Sequence, residues 1–252
     1  MNDGMNKALS KVPEVTLLFW IIKIFATTLG ETGGDAVSMS MNLGYLVGTG
    51  VFAVVFLIAV LAQIKAKGFH PYLYWTTIIA TTTVGTTLAD YADRSLGIGY
   101  AGGSSLLLIL LISSLAIWYR TLGSISVESV SAPKAEIFYW ITIMFSQTLG
   151  TALGDWTADT AGLGYEGGAM VFGALLLLVV AAYFWTKISH TILFWLAFIL
   201  TRPLGAVVGD YLDKPIATGG LALSRYTASL VLLGFIVVCI MLFEHKAAKQ
   251  AH

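Results

Sequence analysis

Asp35, Asp90, Asp155 and Asp210 each follow a tryptophan (Trp20, Trp75, Trp140, Trp195) by fifteen residues and a glycine (Gly30, Gly85, Gly150, Gly205) by five. The spacings between copies are 55, 65 and 55 residues, so W-x9-G-x4-D marks a four-fold internal repeat. Further acids lie near these positions: Glu31, Asp93, Asp213, Asp159 and Glu166. Grouped carboxylates repel one another unless a cation or protons neutralise them. Oxygen ligands without Cys or His suit hard cations such as Mn2+, Mg2+, Ca2+, Na+ or H+. The ion-binding set predicted on these grounds is Asp35, Asp90, Asp155, Asp210, Glu31, Asp93 and Asp213. The competing reading is a set of solvated carboxylates where helices meet loops. Asp at a helix C-terminus opposes the macrodipole, so propensity does not account for the choice.

Below the carboxylates runs a belt of polar residues: Thr27/Thr28, Thr82/Thr83, Gln147/Thr148 and Arg202/Pro203. Thr28, Thr83, Gln147, Thr148 and Arg202 are candidate pathway residues, although a threonine inside a span often only bonds a carbonyl one turn back. Arg202 needs a carboxylate, and Glu31 and Asp210 are the candidates. Pro203 is expected to kink its helix. Gly30, Gly85, Gly150 and Gly205, each with a small residue four later, are expected at close helix contacts. The pairs Gly44/Gly48, Gly99/Gly103 and Gly164/Gly168 suggest the same device in the following helices. The four tryptophans are expected as interface anchors, and Lys23 is expected to snorkel to the inner face. Tyr45, Tyr100 and Tyr165 follow their Asp by ten residues; repeat four has Gly220 instead.

These residues sit in a chain of 252 residues that is 57% hydrophobic and 11% charged, against about 25% charged in soluble domains. Its mean hydropathy is +0.82, so the predicted fold is an all-α integral membrane protein whose one partner from composition is the lipid bilayer. Runs of spanning length fall at about 14–35, 43–64, 72–92, 100–121, 136–156, 164–186, 190–210 and 221–243. They give eight transmembrane helices from four parallel two-helix repeats, at about 14–66, 69–121, 134–187 and 189–244, in one domain over 1–252. Repeats two and four share a denser signature, Asp90-Tyr91-Ala92-Asp93-Arg94 and Asp210-Tyr211-Leu212-Asp213-Lys214, and the link at 121–135 joins two pseudo-symmetric halves.

One side holds Lys7, Lys11, Lys65, Lys67, Arg120, Lys134, Lys187, Lys246 and Lys249; the other holds Arg94, Lys214 and Arg225. That bias places both termini in the cytoplasm and the aspartates toward the outer face of an inner membrane. The first residues are polar and no signal peptide is expected. Cys239 is the single cysteine, and His70, His190, His245 and His252 fall in loops or the tail. No thiolate cluster, zinc motif, phosphate loop or nucleophile elbow is present, so an enzyme is not expected. A formal net charge of zero gives no reason to expect a nucleic-acid partner. The oligomeric state is not legible.

The Trp residues at 20, 75, 140 and 195 with the L/V-G-x3-small-Asp motifs after them resemble a bacterial family of membrane proteins built from four tandem two-span repeats, a repeat of unknown function. The resemblance covers about 14–243 and implies this fold organisation and no substrate. The residues themselves point to a transporter of an inorganic cation, a hard divalent such as Mn2+ or Mg2+, with a bound divalent cation and no required cofactor. A proton-coupled carrier of small organic cations and a non-transport scaffold or sensor are the alternatives. Unequal repeats argue against a passive channel, which needs an even ring, and suit two halves rocking about a central site.

Overall fold

The computed structural model describes residues 10–248. Lys7 and Lys249, which enter the orientation argument, and His252 lie outside the described residues. Eight long helices follow one another: α1 Leu17–Asp35, α2 Gly44–Lys65, α3 Pro71–Asp90, α4 Tyr100–Leu122, α5 Pro133–Asp155, α6 Gly164–Trp185, α7 His190–Asp213 and α8 Arg225–Leu242. Five of them, α2, α4, α6, α7 and α8, are long and apolar enough to cross a membrane. Thr, Gly and charged residues lower the hydropathy of α1, α3 and α5.

Helix boundaries follow local chemistry. Pro71 and Pro133 open α3 and α5, where a missing N–H is harmless. Thr16 Oγ1 accepts the Phe19 N–H at the head of α1. Gly123, at φ 76°, turns the chain out of α4. After Asp35, Asp90 and Asp155 the chain continues as a five-residue π-helical turn, at 36–40, 91–95 and 156–160. Gly44, Gly99 and Gly164 adopt φ of 76°, 77° and 66°, and a Cβ there would meet nothing within 4 Å. They are turn residues and not the packing contacts expected of them. Their partners Gly48, Gly103 and Gly168 do lie against neighbours.

The four odd-numbered helices form a closed inner ring: α1 packs on α3 and α7, and α5 packs on the same two. Each even-numbered helix packs outside, on the inner helix of the next repeat: α2 on α3, α4 on α5, α6 on α7 and α8 on α1. The outer helices turn Leu, Val, Ile and Phe outward and bury few residues. The repeats therefore do make an even ring, contrary to the expectation that unequal repeats would not; their inequality lies in side chains.

The four motif glycines close the ring. A Cβ on Gly30 would strike Thr82, one on Gly150 would strike Arg202, and one on Gly205 would strike Thr27; one on Gly85 would lie 3.0 Å from the Gln147 carbonyl carbon. Each inner helix thus takes the belt residue of the next into its glycine notch. The contacts between halves, α3–α5 and α7–α1, are as close as those within them. No looser seam separates two rocking halves.

Residues of equal register stack into layers. Nearest the termini come Phe19, Tyr74, Tyr139 and Phe194, all buried. Tyr74 and Tyr139 share a hydroxyl–hydroxyl hydrogen bond of 2.6 Å. Lys23, Ile78, Ile143 and Phe198 follow, then Thr27, Thr82, Gln147 and Arg202, then the aspartates. Three of the four tryptophans do not anchor the protein in the interface: Trp75, Trp140 and Trp195 are 1%, 2% and 3% exposed, inside an aromatic cluster with Tyr74, Tyr139 and Trp118. Trp20 is partly buried against the same cluster. Large flat rings fill the space between the four inner helices, and that burial outweighs their interface preference. The Trp195 indole N–H donates to the Ile125 carbonyl in the link between halves, 2.9 Å away. Lys23 does not snorkel either. It is fully buried, its ammonium 4.1 Å from the Phe198 ring centroid and 3.4 Å from Thr201 Oγ1.

Residues 10–14 form a strap over the terminal end of the ring. Lys11 pairs with Glu136 at 2.6 Å and donates to the Gln63 and Ile64 carbonyls at the end of α2. Ser10 Oγ donates to the Val127 carbonyl, and the Glu14 N–H to that of Lys246. Between the strap and the aromatic layer is a cavity of about 30 Å3, room for roughly one water.

Candidate functional site

Asp35, Asp90 and Asp155 are the last residues of α1, α3 and α5, and Asp210 stands one turn before the end of α7. All four are buried at the far end of the ring from the termini. They do not form one open ring of acids, because two bases divide them into pairs. Arg94, four residues after Asp90, places Nε 2.9 Å from Asp90 Oδ1 and Nη2 3.3 Å from Asp155 Oδ2. Lys214, four residues after Asp210, lies 3.1 Å from Asp210 Oδ1 and also pairs with Asp35 Oδ2. Each base joins the acid of its own repeat to that of the next, and the two clusters are related by the 120-residue shift between halves.

Arg94 and Lys214 enter the sequence reading only as loop charges and as part of a signature. The i, i+4 interval from each Asp is the signal that marks them as partners. Their equivalents in repeats one and three are Met39 and Asp159, so only two positions of the ring hold a base.

The Asp35–Asp210 cluster holds a third acid. Glu31, one turn below Asp35, offers an oxygen within 4.8 Å of oxygens from Asp35 and Asp210, and all three residues are buried. Arg202 crosses the ring to meet it: Nη2 is 2.9 Å from Glu31 Oε2, donates to Thr86 Oγ1 at 2.6 Å, and contacts Thr151 Oγ1. Of the two carboxylates expected to balance Arg202, Glu31 does so. Pro203 sits inside α7, which runs on past it to Asp213. Arg225 adds a base on the other side, 3.0 Å from Asp213 Oδ2 and 3.8 Å from Asp35 Oδ2. Asp35 Oδ1 is buried without a hydrogen-bond partner. Burial works against the Lys214 charge, but Asp210, Asp35 and Asp213 outweigh it and hold the ammonium above the ordinary lysine range.

Asp90 and Asp155 lie in the other cluster, around a guanidinium that also reaches Tyr45 at 3.5 Å. Asp93 stands apart from both triads. It is largely buried against the α4 notch at Gly103, and burial pushes its carboxyl above the usual range. Asp213 is bound to Arg225. Of seven predicted ion ligands, therefore, Glu31, Asp35 and Asp210 converge with an oxygen to spare, and three carboxylates leave the remaining positions of a hard cation to water. The tyrosine of repeat three's neighbour, Tyr100, reaches Asp159 Oδ2 at 3.4 Å at the rim.

The belt resolves into two sets. Thr28, Thr83 and Thr148 donate to the carbonyls of Ile24, Ile79 and Met144 in their own helices at 3.0, 2.8 and 2.9 Å, so they are not pathway donors. Gln147 and Arg202, with Thr27 and Thr82 at the same level, form the fully buried set that meets at the glycine notches.

No curated protein and no solved structure matches the chain. A family profile described as Repeat of Unknown Function (DUF347) matches residues 18–69, 73–124, 138–189 and 193–244, one match for each inner helix and the outer helix after it. With four tandem copies spanning most of its length, the chain belongs to the family of the Repeat of Unknown Function (DUF347).

Proposed function

We propose that the protein is a membrane transporter of a hard divalent cation of the Mn2+ or Mg2+ class, bound by Glu31, Asp35 and Asp210. In this reading all eight helices cross the bilayer, both termini face the cytoplasm, and the carboxylate end of the ring opens outward from a bacterial inner membrane. The observation that carries the reading is the convergence of three buried carboxylates on a site that already holds a tethered cation, the Lys214 ammonium.

Charge selects the substrate. Counted as ionised, Glu31, Asp35, Asp210 and Asp213 against Arg202, Lys214 and Arg225 leave one negative charge unbalanced. A monovalent cation replacing the Lys214 ammonium leaves that imbalance, whereas a divalent one cancels it. Lys214 follows the last helical residue of α7, so its stem can swing out as an ion enters and return as it leaves. Arg94 is less suited to this, because its planar guanidinium forks between two carboxylates and holds them by directed hydrogen bonds. The closed aromatic layer and the strap at the other end describe a state shut toward the termini.

The test is Mn2+ or Mg2+ flux into proteoliposomes containing a divalent-sensitive dye, for wild type, Asp210→Asn, Glu31→Gln and Asp93→Asn. Flux lost in the first two variants and kept in the third supports the site. Flux unaffected by Asp210→Asn overturns it. A second reading has one observation in its favour: the occupant of the site is itself a primary ammonium, so a small organic amine also fits. Flux of a radiolabelled amine that Mn2+ fails to compete would favour that reading. Absence of flux for either class by correctly inserted protein would favour a scaffold or sensor.

A further inference from the structure

The centre of the ring, one layer below the carboxylates, has a polar composition that the proposed cation site does not use. Arg202 is fully buried, and only its Nη2 is engaged; Nε and Nη1 have no partner. Gln147, also fully buried, has neither its amide nitrogen nor its oxygen bonded. Thr82 Oγ1 and Ser146 Oγ are buried and unpartnered as well. Lys23, fully buried one layer below, reaches up to Thr201, its one hydrogen-bond partner.

Register places these groups around one point. Arg202 Nη2 touches Thr86 on α3 and Thr151 on α5. Thr82 and Gln147 stand four residues earlier on those same helices, about 6 Å below along the helix axes. Lys23 lies one turn below Thr27 on α1 and reaches up to Thr201, the neighbour of Arg202 in α7. All four inner helices contribute, and the free groups are mostly donors. Unmade hydrogen bonds at such depth are costly.

We infer that the ring centre binds a small monovalent anion of halide size, held by the free Nε and Nη1 of the Arg202 guanidinium, with the Gln147 amide, the Thr82 hydroxyl and the Lys23 side-chain nitrogen as further donors. An anion there accepts from N–H groups that the protein leaves free. The site lies below the carboxylates and uses none of them as ligands, although its Arg202 also pairs with Glu31 of the cation site.

The experiment is thermal unfolding of the detergent-solubilised protein during titration with sodium bromide or chloride, against sodium gluconate at constant ionic strength. At ten times the dissociation constant, wild type is expected to rise by about 3–6 °C over gluconate. Gln147→Leu and Lys23→Met, chosen to keep side-chain volume, should lose most of that halide-dependent rise. A direct readout guards against variants that fold poorly: crystals of wild type grown in bromide should give an anomalous peak between Arg202 and Lys23. Equal stability in halide and gluconate, or density at that point from water alone with no bromide signal, overturns the anion site and leaves a hydrated belt.

Discussion

Replacing Gly205 with alanine tests the ring itself. A Cβ at that position would lie 2.5 Å from Thr27 Cβ and 2.8 Å from the Thr27 carbonyl carbon. Carbon atoms in contact prefer about 3.5–4.0 Å. A side-chain rotation can move Thr27 Oγ1 aside but relieves neither of these clashes, since Cβ and the carbonyl carbon are both fixed by the backbone. The α7–α1 distance must therefore grow by about 1 Å. Because α1 and α7 also each pack on a second inner helix, the displacement is passed to α3 and α5. Overpacking of this kind costs typically about 1–3 kcal/mol, and a closed ring places it at the upper end. Unfolding in detergent should then shift down by about 4–12 °C. Gly173 is the control: it lies in α6, and a Cβ there meets nothing within 4 Å. Gly173→Ala should gain up to about 1 kcal/mol from helix propensity. If Gly205→Ala is as stable as wild type, the glycine-notched ring is refuted, whatever Gly173→Ala does.

Other outcomes follow from individual contacts. Glu31→Gln leaves Arg202 buried without its counter-charge and should destabilise by about 3–5 kcal/mol, whereas Glu31→Gln with Arg202→Met should recover much of that loss in the same unfolding assay. Lys214→Met removes the tethered competitor and should tighten Mn2+ binding by about ten-fold, equivalent to about 1.4 kcal/mol, measured by isothermal titration. Tyr74→Phe removes one half of the hydroxyl pair and should cost about 1 kcal/mol; a larger loss would mean that the pair also holds the aromatic layer in register. Glu136→Gln should free the strap and speed tryptic cleavage after Lys11 without lowering the unfolding temperature of the ring.

How much of this was legible in the sequence depended on whether a residue's role is fixed along the chain or across it. Repeat spacing carries the four inner helices, the motif glycines and the aspartates, because register survives folding unchanged. That Arg202 needs a carboxylate was legible too, with Glu31 one of two candidates, since a buried guanidinium demands one. Trp75, Trp140 and Trp195 were misplaced because a tryptophan near the end of an apolar run suits an interface and a core equally well; only the ring decides. Lys23 was misplaced for the same reason, its route to the surface being closed by Phe198 and the other inner helices. The division of the aspartates by Arg94 and Lys214 was hidden because each base acts on an acid about 60 or 180 residues away as well as on its own neighbour.

The packing of each outer helix on the next repeat bears on how such a protein can arise and assemble. A half-chain ending after α4 would have α2 seated on α3, yet α4 would lack α5 and α1 would lack α8. Its two unsatisfied faces are complementary to those of a second half related by the 120-residue shift, so two such halves complete one another by mutual exchange. Gene duplication from an exchanging homodimer needs only the link between α4 and α5 to make the present chain. Once the halves are fused, each is free to diverge, as Arg202 has from Thr82 and Glu31 from Thr151. Those two exchanges put an ion pair where an ancestral pair of threonines would have been symmetric.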